Sequence, residues 1–104
     1  MKKLGIIKAY GDEFAVFEHT EKESEHWGET RYTRPRIMIA KWLGRRKREE
    51  TILHELIHIV NECSAVGLSE AKVKRLSYGL YGVLKDNFSI NLNRLKRKNR
   101  TPQR

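Results

Sequence analysis

The chain has a single cysteine, Cys63, among 104 residues, which excludes an internal disulfide and suits a reducing compartment. It has no apolar run of transmembrane length, so no membrane-spanning helix is expected. Met1-Lys2-Lys3 begins like a secretory signal, but the apolar run that follows is broken at Lys8 and ends at Gly11-Asp12-Glu13, and a cytoplasmic location is expected. Acidic residues are few relative to basic ones, 13 against 22, which gives a formal charge of +9 and points to a polyanionic neighbour or a solubilising tail. No internal repeat is visible. A hydrophobic content of 38% in a chain of this length supports one modest core.

What the chain does have is two kinds of pattern, strands first and helices after. Residues 4–10 and 14–18 are β-rich runs around the turn signal Gly11-Asp12, and read as a hairpin. Residues 19–26 are charged, lack apolar anchors and read as a loop. Residues 27–32 and 36–40 read as a second strand pair, with Pro35 at a strand start and with Ile37 and Ile39 facing the helices. Gly44 then leads into a helix through Arg45-Arg46-Lys47-Arg48-Glu49-Glu50. Ser69 is the expected N-cap of a second helix over residues 70–85, with a core stripe of Val73, Leu76, Leu80 and Val83 or Leu84. Glu70, Ser77 and Tyr81 stack along one line of that helix. These elements make an α+β domain over residues 1–90, followed by a basic tail over residues 91–104, and Ile90, Leu92 and Leu95 at that boundary can pack one more turn.

The first helix contains His54-Glu55-Leu56-Ile57-His58, the H-E-x-x-H pattern of zinc peptidases. Histidines four apart lie about 6 Å from each other on one helix face, so both imidazoles can reach one ion. Glu55 lies beside His54 around the helix, where a carboxylate can take a proton from water activated by zinc, whose pKa the metal lowers to about 7. Ile52, Leu53, Leu56, Ile57, Ile59 and Val60 make the helix strongly apolar, so these three polar side chains interrupt a buried surface.

A catalytic zinc takes three protein ligands. Glu62 continues the line of His54 and His58 but lies about 12 Å along the axis from His54, too far to share an ion with both. Glu70 opens the second helix after a short turn and is the leading third ligand. Cys63, His19 and His26 remain alternatives.

Residues 27–32, 51–58 and 69–87 together resemble a family of small phage and prophage metallopeptidase-like proteins related to the ImmA/IrrE and SprT-like zincins. The resemblance covers about residues 4–90 and is most specific in its last two blocks. It implies a compact gluzincin-like domain in which a small sheet of three to four strands packs on the H-E-x-x-H helix and the helix after it. Zinc would be held by His54, His58 and Glu70, with Glu55 as general base. In ImmA/IrrE-type enzymes the third ligand precedes a small–Asn pair. If Ser77-Tyr78 fills that place, the corresponding position is Lys74, one turn beyond Glu70.

The expected activity is hydrolysis of peptide bonds in a protein or peptide substrate, with Tyr81 or Tyr78 donating to the oxyanion and with residues 36–40 as the edge strand that binds substrate. The alternative is a non-catalytic basic phage protein that keeps the zinc-site fold. It would bind a protein partner, or nucleic acid through Arg45, Arg46, Lys47, Arg48 and the C-terminal tail.

Overall fold

A computed structural model describes residues 2–20, 28–33 and 35–96. Four strands and two helices follow in order: β1 (Lys2–Ala9), β2 (Asp12–His19), β3 (Gly28–Arg31), β4 (Arg36–Ala40), α1 (Arg45–Cys63) and α2 (Glu70–Phe88). The fold is α+β, as the order of the patterns predicts. His26, Trp27, most of the 19–26 loop and tail residues 97–104 lie outside the described residues.

β1 and β2 form the expected hairpin through Tyr10 and Gly11, both in the left-handed region (φ 53° and 81°), which brings the two strands' twist into register. The sheet order is β1-β2-β4-β3. β4 pairs parallel to β2, with Val16 opposite Ile37, and antiparallel to β3, with Thr30 opposite Ile37. β4 is therefore an interior strand, which corrects the expectation that residues 36–40 form a free edge. Ile37 and Ile39 are fully buried, and two-sided pairing keeps their strand inside the sheet. The edge on this side is β3.

α1 is the middle layer. Ile52 and Ile59, seven residues apart, pack with Phe14, Val16, Ile37 and Ile39 of the sheet. Leu53 and Ile57 face the other way and pack with Val73 and Tyr81 of α2. Such a helix buries two faces, which explains its nearly continuous apolar composition. The strip between those faces carries Thr51, His54 and His58 at helical spacing, and it opens between β3 and α2.

The buried positions of α2 are Val73, Ser77 and Tyr81. Leu76, Leu80 and Val83 are exposed and Leu84 is half-buried, so of the expected stripe only Val73 is fully buried. The reason lies on α1. Glu49 is buried (1% exposed), and α2 turns a hydroxyl toward it: Tyr81 OH donates to Glu49 Oε1 at 2.7 Å, with Lys85 Nζ on the same oxygen at 3.1 Å. The backbone N–H of Leu92 donates to Glu49 Oε2 at 2.7 Å. A buried carboxylate must be fully hydrogen-bonded, and that requirement overrides the apolar periodicity.

In the segment that follows residue 90, residues 91–96 stay with the domain, with the packing expected of Leu92 and Leu95. Leu92 and Leu95 pack against the sheet cluster, and Ile6 N donates to Lys96 O at 2.8 Å, so the segment bridges to β1. Gly5 makes room for it: a Cβ there would lie 2.6 Å from Leu95 Cβ.

Candidate metal centre

The turn between the helices brings the side chains together. Asn61 near the end of α1 accepts from Leu68 N (2.8 Å) and donates to Leu68 O (3.0 Å), closing the loop over residues 62–68. Ser69 caps α2 by accepting from Lys72 N at 3.2 Å. α2 then runs back antiparallel to α1, so that Glu70 meets His58, Ser77 meets His54 and Tyr81 meets Glu49.

Glu70 Oε1 lies 2.8 Å from His58 Nε2, and Glu70 Oε2 lies 3.0 Å from His54 Nε2. The two Nε2 atoms are 3.1 Å apart. One ligand atom from each of the three residues falls within 4.8 Å of the others. Zinc bonds of about 2.0–2.2 Å place tetrahedral ligand atoms about 3.3 Å apart, a spacing comparable to those between the two imidazoles and the Glu70 carboxylate. Ser77 Oγ donates to Lys74 O at 3.0 Å and so presents a lone pair to His54 Nδ1, in a long contact of 3.4 Å. That contact favours the tautomer with its proton on Nδ1 and its lone pair on Nε2, the ligand form. Two imidazole nitrogens and a carboxylate suit zinc.

Glu55 is buried (5% exposed) between this cluster and β3. Thr30 Oγ1 donates to its Oε1 at 2.6 Å. Burial pushes the Glu55 carboxyl above its ordinary value, and Glu70 adds to this; the Thr30 hydrogen bond and the two histidines pull the other way without cancelling it. β3 can approach this closely because residue 28 is glycine. A Cβ there would stand 2.6 Å from Thr51 Cγ2 and 3.1 Å from Glu55 Oε2.

These groups line a groove of about 1160 Å³ between β3, α1 and α2. Two phenols stand in its wall, Tyr32 and Tyr78. Burial raises the Tyr32 pKa, with Cys63, Glu62 and Glu55 contributing, so this phenol holds its proton firmly. Tyr81, expected to serve at the site, is not among the lining residues: its hydroxyl is engaged by Glu49, and burial with that bond pushes its pKa up to about 12. Thr30, Tyr32 and Ser77 were not assigned to the site from sequence. Ser77 carried a signal, its alignment with Glu70 on one helix line; the other two become relevant only through strand pairing.

Of the alternative ligands, Cys63 is exposed and outside the cluster, and His19 is buried edge-on against Trp42. Glu62 is exposed, as its distance along the helix implied. The basic run at the start of α1 is largely engaged in pairs. Arg48 bonds Glu18 at 2.9 Å, while Arg46 and Lys47 reach Glu50 at 3.4 and 3.2 Å. No helix among the described residues is long and apolar enough to cross a membrane. No family model, no curated protein and no solved structure matches this chain.

Proposed function

We propose that this chain is a zinc-dependent peptidase of the minimal H-E-x-x-H type. The observation that carries the reading is the convergence of His54, His58 and Glu70 beside a buried carboxylate, Glu55, that is held by a sheet-edge residue. A lone H-E-x-x-H would leave the third donor unassigned; here a carboxylate from another helix reaches both imidazoles.

Zinc bound by the three donors would supply Lewis acidity and an acidified water near neutral pH. The remaining chemistry belongs to the chain. Glu55 Oε1 is fixed by Thr30, which leaves Oε2 to accept the proton of the attacking water and later to return it to the departing amine. Tyr32 and Tyr78 are the groove's phenol donors for the oxyanion, the role expected of Tyr81 or Tyr78. The substrate lies extended along β3, whose outer edge offers backbone N–H and C=O groups for an added strand. The groove is open, so recognition is shallow.

The alternative is nucleic-acid binding through Arg45 to Arg48 and the C-terminal tail; three of these four helix cations already face carboxylates, and tail residues 97–104 lie outside the described residues. The test is cleavage of a denatured protein mixture by zinc-loaded protein, with new termini identified by mass spectrometry. Wild type should generate them and Glu55→Gln, with matched zinc content, should not. Equal yields from the two, or none from the wild type, would refute the reading.

A further inference from the structure

The groove beside the three donors has an uneven charge distribution. Its wall includes four carboxylates, and two of them are already neutralised: Glu29 by Arg31 at 2.9 Å, and Glu50 by Arg46 and Lys47. The other two, Glu55 and Glu70, are the base and a metal donor. On the α2 side the groove is bounded by Lys74 and Arg75, both exposed and neither within salt-bridge distance of a carboxylate among the described residues. Lys74 stands one helical turn beyond Glu70, about 6 Å along the axis. An extended peptide advances about 6.6 Å every two residues, with those side chains on the same face. Lys74 and Arg75 line the same groove as the three donors, so a substrate group about two residues from a bond held there comes within reach of these long side chains.

We propose that Lys74 and Arg75 select substrates that carry a carboxylate within two residues of the bond cleaved, either an acidic side chain or the substrate's own C-terminus. The inference rests on the peptidase reading for the identity of the substrate. Cations are favoured for this task because the groove's own acids are paired or in use, so that an incoming carboxylate finds two donors without a competitor. Each exposed contact is modest, and the pair together should change affinity by about three- to tenfold.

The test uses full-length, zinc-loaded Glu55→Gln protein, which binds without turnover, and fluorescence anisotropy with labelled C-terminally amidated peptides differing at one position as Glu, Gln or Lys. A fourth probe is the Gln peptide with a free C-terminus. Tighter binding of the Glu peptide identifies a side-chain carboxylate, and tighter binding of the free-acid peptide identifies the terminus. In either case the advantage should fall by about three- to tenfold on adding Lys74→Gln and Arg75→Gln, with zinc affinity unchanged, and Lys74→Glu should shift preference toward the Lys peptide. No preference among the peptides, no binding of any, or the same preference after both cations are removed would overturn the proposal. Cleavage of the same peptides by wild type is scored separately. Preference without cleavage counts against the peptidase reading alone, and cleavage without preference counts against the carboxylate proposal alone.

Discussion

Thr30 on β3 and Glu55 on α1 are joined by a hydrogen bond of 2.6 Å, the contact that ties the sheet edge to the proposed general base. The bond holds Glu55 Oε1 and lowers the carboxyl's pKa against the larger upward push of burial. Thr30→Val keeps the shape and removes the donor. The Glu55 pKa then rises further, so the acid limb of the kcat/KM profile should move to higher pH, with a loss of about tenfold at neutral pH. A pH–rate series with matched zinc checks this. An unmoved limb would mean that Glu55 is not the group titrating.

Gly28 is the sequence feature that permits that contact. A Cβ at residue 28 would press into Thr51 Cγ2 at 2.6 Å, and Thr51 is anchored by its own bond to Lys47 O at 2.8 Å. Gly28→Ala should cost about 1–3 kcal/mol in urea denaturation and reduce turnover. Adding Thr51→Ser, which removes the obstructing methyl and keeps the hydroxyl, should restore most of the stability. No recovery in the double variant would show that the methyl contact is not the cause.

Glu49 should behave as a structural carboxylate. Burial pushes its pKa up, but the bonds from Tyr81, Lys85 and Leu92 N–H outweigh that and leave it lowered from the ordinary 4.5. A lowered folded value adds stability that is fully present above the unfolded value and is lost as pH falls through the folded one. Unfolding free energy of the wild type should therefore fall toward that of Glu49→Gln as pH drops below 4.5, when both are followed by denaturant titration. Glu49→Ala at neutral pH should cost about 2–4 kcal/mol, because Tyr81 OH and Leu92 N–H lose their acceptor.

Much of this was legible in the sequence wherever the information is local. Helical spacing put His54 and His58 on one face of α1 with Glu55 beside them, and Ser69 marked the start of α2. The strand runs, including Ile37 and Ile39 as core, follow from alternation. The parallel pairing of β2 with β4 does not, since it joins segments with β3 between them, and so the edge was assigned to residues 36–40 instead of β3. Leu76, Leu80 and Val83 have the spacing of a core stripe, yet α2 turns Ser77 and Tyr81 inward. That choice follows from Glu49, whose sequence context at a charged helix start gives no sign of burial. Tyr81 was placed at the site for the same reason: its position on the helix line was right, but its hydrogen-bond partner could not be read.

The central claim is that His54, His58 and Glu70 share one ion beside Glu55. Zinc stoichiometry and affinity, measured by competition with a chromophoric chelator at neutral pH, test it most directly. One zinc per wild-type chain is expected, with affinity lost in His58→Ala, weakened at least about tenfold in Glu70→Ala and little changed in Glu55→Gln. Equal affinity in wild type, His58→Ala and Glu70→Ala, or no stoichiometric binding by the wild type, would contradict it.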